Sequence, residues 1–276
     1  MPQFVLIILA LAAYLVTSAW FWRRVHASPG AGTGTGGANG SNLYPLLVGW
    51  AAAVLHAWLL ARGMLSASAL NLSLGYVFSL VTLMTVLVFL LSTLARDMFN
   101  LGLFVMPVGL LGLLVGLFLT GQPVPVENPS ALQWWHLGIA LVAFGFLCIA
   151  AAQALLLYLQ DRHLHSHRPG NLLPSLPPIQ TMEHNLFWLT MIGVILLTMN
   201  LVVGMVYLYH QQGRTLAFNH HILLSFLAWL GFAGLLYGHR IYGWRGTVAA
   251  RWTLAAFGVL ILAYFGTRFV TSVVLS

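Results

Sequence analysis

Lysine is absent from this chain, Asp and Glu number only four, and charged residues make up 5% of the sequence against 60% hydrophobic. So little polar surface cannot cover a soluble globule of 276 residues, which leaves an integral membrane protein. The net charge of +7 rests on arginine alone. In a membrane protein such an excess reports orientation across the bilayer, and no nucleic-acid partner is expected. The single cysteine, Cys148, lies inside an apolar run. That excludes a disulfide framework, a C-x-x-C redox pair and a C-x-x-C-H site for covalent haem attachment. No basic segment precedes the first apolar run. Arg23 and Arg24 follow it instead, the order of an uncleaved anchor and not of a signal peptide. A nucleotide-binding loop, a zinc-protease motif and a nucleophile triad are also missing.

What the sequence has in abundance is apolar runs of bilayer length. Eight are expected as transmembrane helices, at about 3–22, 44–61, 72–94, 99–120, 134–161, 184–209, 219–237 and 252–273. Pro107 is expected to kink the fourth. Residues 27–42, rich in Gly, Ser, Thr and Asn, cannot bury apolar area and read as a flexible cytoplasmic loop. The fold class is therefore an all-α membrane protein, a polytopic bundle of about eight transmembrane helices forming a single transmembrane domain over residues 1–276. The fifth run, WWHLGIALVAFGFLCIAAAQALLLYLQD, reads as a central helix. Gly138, Ala140, Ala143, Gly145, Ala150, Ala151, Ala152 and Ala154 permit close approach of neighbours, and Gln153 demands a polar partner.

Arginine placement sets the orientation. Arg23, Arg24, Arg96, Arg162, Arg168, Arg240, Arg245 and Arg251 fall on one side, against Arg62, Arg214 and Arg268 on the other. Both termini are then expected outside, with His136, His210, His220 and His221 at the outer face. His26, His163, His165, His167, His184 and His239 lie toward the cytoplasm. His163, His165 and His167 alternate in a polar tract and read as solvated, since H-x-H-x-H has no thiol companion and only Asp161 as a nearby acid. His56 sits inside an apolar helix, where an imidazole must face protein and find a partner, either as a packing hydrogen bond or as a functional group.

The outer face carries a possible haem site by chemistry alone. Haem needs one or two imidazoles on iron, aromatic or aliphatic walls, and cations for its propionates. His136 and His221 supply the imidazoles, Trp134 and Trp135 the indoles, and Arg62, Arg214 and Arg268 the cations. Each has a plainer reading: interfacial anchoring for His136, His221 and the tryptophans, and snorkelling to headgroups for Arg268. His220 points about 100° away from His221 on the same helix and is not expected to share the site.

Several stretches carry a family resemblance: His136 with its AAAQALLLYLQ tail, YGWRG followed by LAYFG near the C-terminus, His56-Ala57, the NLSL of 71–74, and PPI-x-x-ME-x-x-LF around Met182 and Phe187. The chain resembles the cytochrome c assembly family of haem-handling membrane proteins, the CcsA and CcmC type, and most of all its YpjD/HemX-like inner-membrane branch. The resemblance is densest over 72–273. It implies an eight-span bundle in a bacterial inner membrane, haem as cofactor, and the lipid bilayer and cytochrome c maturation components as partners. Carried over by position, His136 matches the first external histidine of the family, while His221 stands where an imidazole could serve as the opposite axial ligand. The chain departs from the haem-handling pattern before its seventh span. A tryptophan-rich motif ending in Trp-Asp is replaced there by RTLAFNHH. Two function classes follow: a haem-binding protein of cytochrome c assembly or haem handling that catalyses no bond-making step, and a non-haem scaffold or transporter-accessory protein that kept the fold. A haem-b electron-transfer enzyme is a weaker third, for which His56 lacks an identified partner.

Overall fold

Within a bilayer no water is available to backbone amides, so an apolar chain satisfies them by forming helices. Among its described residues the computed structural model has eight that are long and apolar enough to cross a membrane. It describes residues 2–26, 38–65, 69–96, 98–119, 121, 123–127, 129–165, 177–212 and 220–266. The helices are α1 (Pro2–His26), α2 (Ala38–Met64), α3 (Leu74–Ala95), α4 (Gly102–Phe118), α5 (Ala131–His165), α6 (Ile179–Gln212), α7 (His220–Tyr242) and α8 (Gly246–Ile261). A 3₁₀ turn, Phe99–Leu101, leads into α4, and a π-helical turn, Leu262–Gly266, follows α8. The protein is thus an all-α polytopic membrane protein.

All eight expected spans are present, but several ends move. α2 begins at Ala38, inside the stretch read as a loop, so that Pro45 falls within the helix. Once a span has formed, each further residue adds a hydrogen bond without a new nucleation cost, and the helix extends. The same reasoning covers the longer α5 and α6. α4 runs unbroken through Pro107.

The chain divides into two compact units, one of residues 1–125 with 162–178 and one of residues 126–161 with 179–276. In the first, α3 and α4 approach through small residues. A Cβ added at Gly116 would lie 2.6 Å from Ser79 Oγ, and one at Gly109 would lie 2.6 Å from Val86 Cγ2 and 2.7 Å from Tyr14 Cε1. Gly112 faces Thr82 in the same register. Only glycine lets the backbones meet at this distance. Thr82, Thr85 and Thr93 return their hydroxyls to carbonyls of their own helix at 2.9, 2.9 and 2.7 Å, so none needs a partner elsewhere. Asn71 of the NLSL stretch holds the connection before α3, its Oδ1 accepting from the Ser73 and Val124 amides at 3.1 Å each.

In the second unit α5 opens with a reciprocal cap. The Ser130 amide donates to Gln133 Oε1 at 2.7 Å and the Gln133 amide to Ser130 Oγ at 3.3 Å. Along α5, Ala140, Ala143, Ala150 and Ala154 are buried as expected, whereas Gly138 faces open space. Gln153 finds the partner its position requires, donating to the Met182 carbonyl at 3.1 Å. Two of the resemblance motifs meet at the α7–α8 turn. Gly243 and Gly246 take φ of 66° and 55° there, and the Gly246 amide donates to Glu183 at 2.6 Å. Phe187 stacks on His239 at 3.5 Å between ring centroids, and the ring in turn hydrogen-bonds the Trp244 carbonyl through Nδ1 at 2.9 Å.

Candidate functional site

The second unit places four helical segments around one cavity of about 250 Å³, lined by His136 and His221 together. α5 brings His136. The Ser130–Gln133 cap sets where that helix begins, and Gln133 ties it to α6 by donating to the Tyr207 hydroxyl at 2.8 Å. The imidazole then lies over Gly204, where an added Cβ would be 3.1 Å from its Cε1 and 3.4 Å from its Nδ1. Glycine therefore makes the seat for the ring. The ring lies beside the Asn200 backbone. Its buried Nδ1 nevertheless has no hydrogen-bond partner among the described residues, and the same holds for Asn200 Oδ1. Asn200 also lines the cavity.

α7 brings His221 as its second residue, and the π-helical turn after α8 brings Tyr264 beside it, ring centroids 5.9 Å apart. A π turn rotates side chains relative to a regular helix and is common at functional sites. Leu197, Leu201, Met205, Leu208 and Ile222 make the remaining walls apolar. Two imidazoles on different helices, an unpaired ring nitrogen and aliphatic walls can hold a metal-centred planar ligand. Among the described residues no cluster of three or more His, Cys, Asp or Glu side chains is placed to hold a bare metal ion.

The other expected site residues separate from this pair. Trp134 and Trp135 do not line the cavity and are 48% and 68% exposed, which suits interfacial anchoring. Successive residues turn by about 100° around a helix, so neither indole shares the His136 direction. His56 belongs to the first unit and is completely buried. Its Nδ1 pairs with the Tyr14 hydroxyl at 3.0 Å and its Nε2 with Ser79 Oγ at 2.8 Å, leaving no ring nitrogen for iron. Of the two readings of His56, this geometry is that of the packing hydrogen bond. Arg268, Arg214, His167 and the side chains of His163, His165 and His220 lie outside the described residues. The sequence reading missed Gly204, Asn200, Tyr207, Ser225 and Tyr264 as cavity residues. Asn200 alone carried a signal, being a lone amide deep in an apolar run.

Comparison with known proteins supplies the lineage. The profile of the Cytochrome C assembly protein family matches residues 41–275. An Azospirillum brasilense protein, described as an uncharacterized 28.8 kDa protein in a nifR3-like 5′ region, is 35% identical over 67% of this chain and 69% of its own. The inner membrane protein YpjD of Escherichia coli (strain K12) is 32% identical over 75% of this chain and 78% of its own. Protein HemX of Bacillus subtilis (strain 168) is 27% identical over 49% of each chain. No solved structure matches. With eight helices among the described residues long and apolar enough to cross a membrane, the chain is a multi-pass bacterial inner-membrane protein that belongs to the cytochrome c assembly protein family, in the branch similar to YpjD and HemX.

Proposed function

We propose that the second unit binds haem between His136 and His221, at the outer face of the membrane, and that the protein serves cytochrome c assembly or haem handling without making or breaking a covalent bond itself. One observation carries the reading: two histidines far apart in sequence line a single cavity, and a buried ring nitrogen of one has no hydrogen-bond partner among the described residues. An unpaired buried polar atom is costly unless a ligand meets it. Aliphatic walls suit a porphyrin face. At about 250 Å³ the cavity lies under the roughly 300–1,000 Å³ of small-molecule sites, so a bound macrocycle would stand partly outside it. His136 and His221 would hold haem, which would supply an iron that imidazole nitrogens can ligate. The family assignment supports the cofactor, and the arginine asymmetry supports the outer face.

The test is the visible spectrum of protein purified from haem-replete cells. A Soret band is expected, weakened and shifted in His136→Ala and His221→Ala and partly restored by added imidazole. Folded protein without a Soret band after exposure to haem would overturn the reading in favour of a scaffold, which the absence of indoles from the cavity walls would then suit. Reporter fusions after Pro125 and Gly170 test the side, reading external and cytoplasmic respectively; the reverse would move the site to the cytoplasmic face.

A further inference from the structure

The first unit holds a second cavity, of about 110 Å³, whose polar lining is Gln3, His56, Arg62, Tyr76 and Ser79. Among the described residues no carboxylate lines it. The hydrogen-bond directions around His56 decide what it offers. A neutral imidazole has one donor nitrogen and one acceptor, and the buried Tyr14–His56–Ser79 chain uses both. If the ring donated to Tyr14, the phenol proton would be stranded. Tyr14 is completely buried, does not line the cavity and has no other hydrogen-bond partner among the described residues. The chain therefore runs the other way: Tyr14 donates to Nδ1, Nε2–H donates to Ser79 Oγ, and the Ser79 hydroxyl proton is left over. Ser79 is 1% exposed and lines the cavity, so that proton points at an acceptor the described residues do not provide.

Of the other polar groups, Gln3 and Tyr76 can donate or accept, and Arg62 sets the charge. Arg62 carries donors only, its one described contact being the Trp58 ring, 4.9 Å below the guanidinium. The Tyr76 hydroxyl is held beside Gly63, 2.8 Å from where a Cβ would stand. A small, half-open space with an exposed cation at its rim, a surplus hydroxyl proton at its buried end and no acid among the described lining residues suits an acceptor bearing negative charge. We propose that this cavity binds an oxyanion, a single carboxylate or phosphate group, held by Ser79 and Arg62 with Tyr76 at its side. The group could come from an anionic lipid headgroup or from a soluble anion, and both offer the same oxygens.

The experiment uses the full chain in nanodiscs of phosphatidylcholine, titrated with inorganic phosphate and followed by ³¹P line broadening, with acetate as competitor. Saturable broadening, relieved by acetate, is expected. Affinity should fall at least about tenfold in Arg62→Gln and in Ser79→Ala, and recover in Arg62→Lys. Tyr76→Phe serves as a variant that leaves the His56 chain intact and should weaken binding less. In nanodiscs containing phosphatidylglycerol, loss of the phosphate signal identifies the lipid as the source, and its persistence identifies a soluble anion. Wild-type protein that shows no saturable phosphate binding in either membrane, or variants that bind like wild type while folded, would overturn the proposal and leave water as the occupant.

Discussion

Gly204→Ala separates the fold from the site, because a single methyl group should leave the one nearly unchanged and disturb the other. The new Cβ would stand 3.1 Å from His136 Cε1 and 3.4 Å from Nδ1. Unstrained carbon contacts are about 3.5–4.0 Å, so the ring must retreat by about half an ångström. Stability changes little. α6 gains up to about 1 kcal/mol from replacing an interior glycine, and the crowding costs about as much, at the low end for overpacking, because the ring borders a cavity into which it can yield. The proposed haem site should not tolerate the same shift. Ligating groups must hold their places to within about 0.5 Å, so the displacement uses the whole allowance. We expect haem affinity to fall about tenfold, worth about 1.4 kcal/mol, with the melting temperature unchanged within a few degrees. Haem titration at the Soret band and thermal unfolding on one preparation read both quantities. Gly204→Leu should extend the series by filling the cavity and abolishing binding. Unchanged affinity in Gly204→Ala, alongside loss of haem in His136→Ala, would show that the ring is not seated against α6 when the ligand is bound. A collapse of stability in Gly204→Ala would refute the claim that the ring can yield.

Three further outcomes test the packing. His56→Leu should destabilise the protein by about 1–3 kcal/mol in detergent unfolding, since it strands the Tyr14 and Ser79 hydroxyls, while Tyr14→Phe should cost about 0.5–1.5 kcal/mol; equal melting curves would dismiss the chain as a structural element. Gly116→Ala should cost about 1–3 kcal/mol because its Cβ would meet Ser79 Oγ at 2.6 Å, and Ser79→Gly in the same protein should recover part of the loss. Glu183→Gln should weaken the 2.6 Å bond to the Gly246 amide and the favourable charge at the start of α8, by about 1 kcal/mol, and speed proteolysis at the α7–α8 turn; an unaltered cleavage rate would remove Glu183 from the account of that turn.

Number and position of the helices could be read from the residues because the bilayer makes secondary structure a local matter. An apolar run of sufficient length has no other way to satisfy its amides, whatever lies beside it. The demand of Gln153 for a partner was legible for the same reason, though not that the partner is the Met182 carbonyl. The extensions of α2, α5 and α6 past the apolar runs were not legible, since helix propagation into polar sequence leaves no hydrophobic signal. Tertiary structure alone decided which way each helix faces. Runs that are apolar on every side do not encode their rotation, and what sets it is the fit of small residues against large ones, as with Gly112 against Thr82 or Gly204 against His136. That rotation turned Trp134 and Trp135 outward, spent both nitrogens of His56 on Tyr14 and Ser79, and gathered His136, Asn200, His221 and Tyr264 around one cavity. The sequence named the histidines of the site, and the packing between helices determined which of them keeps a nitrogen unspent.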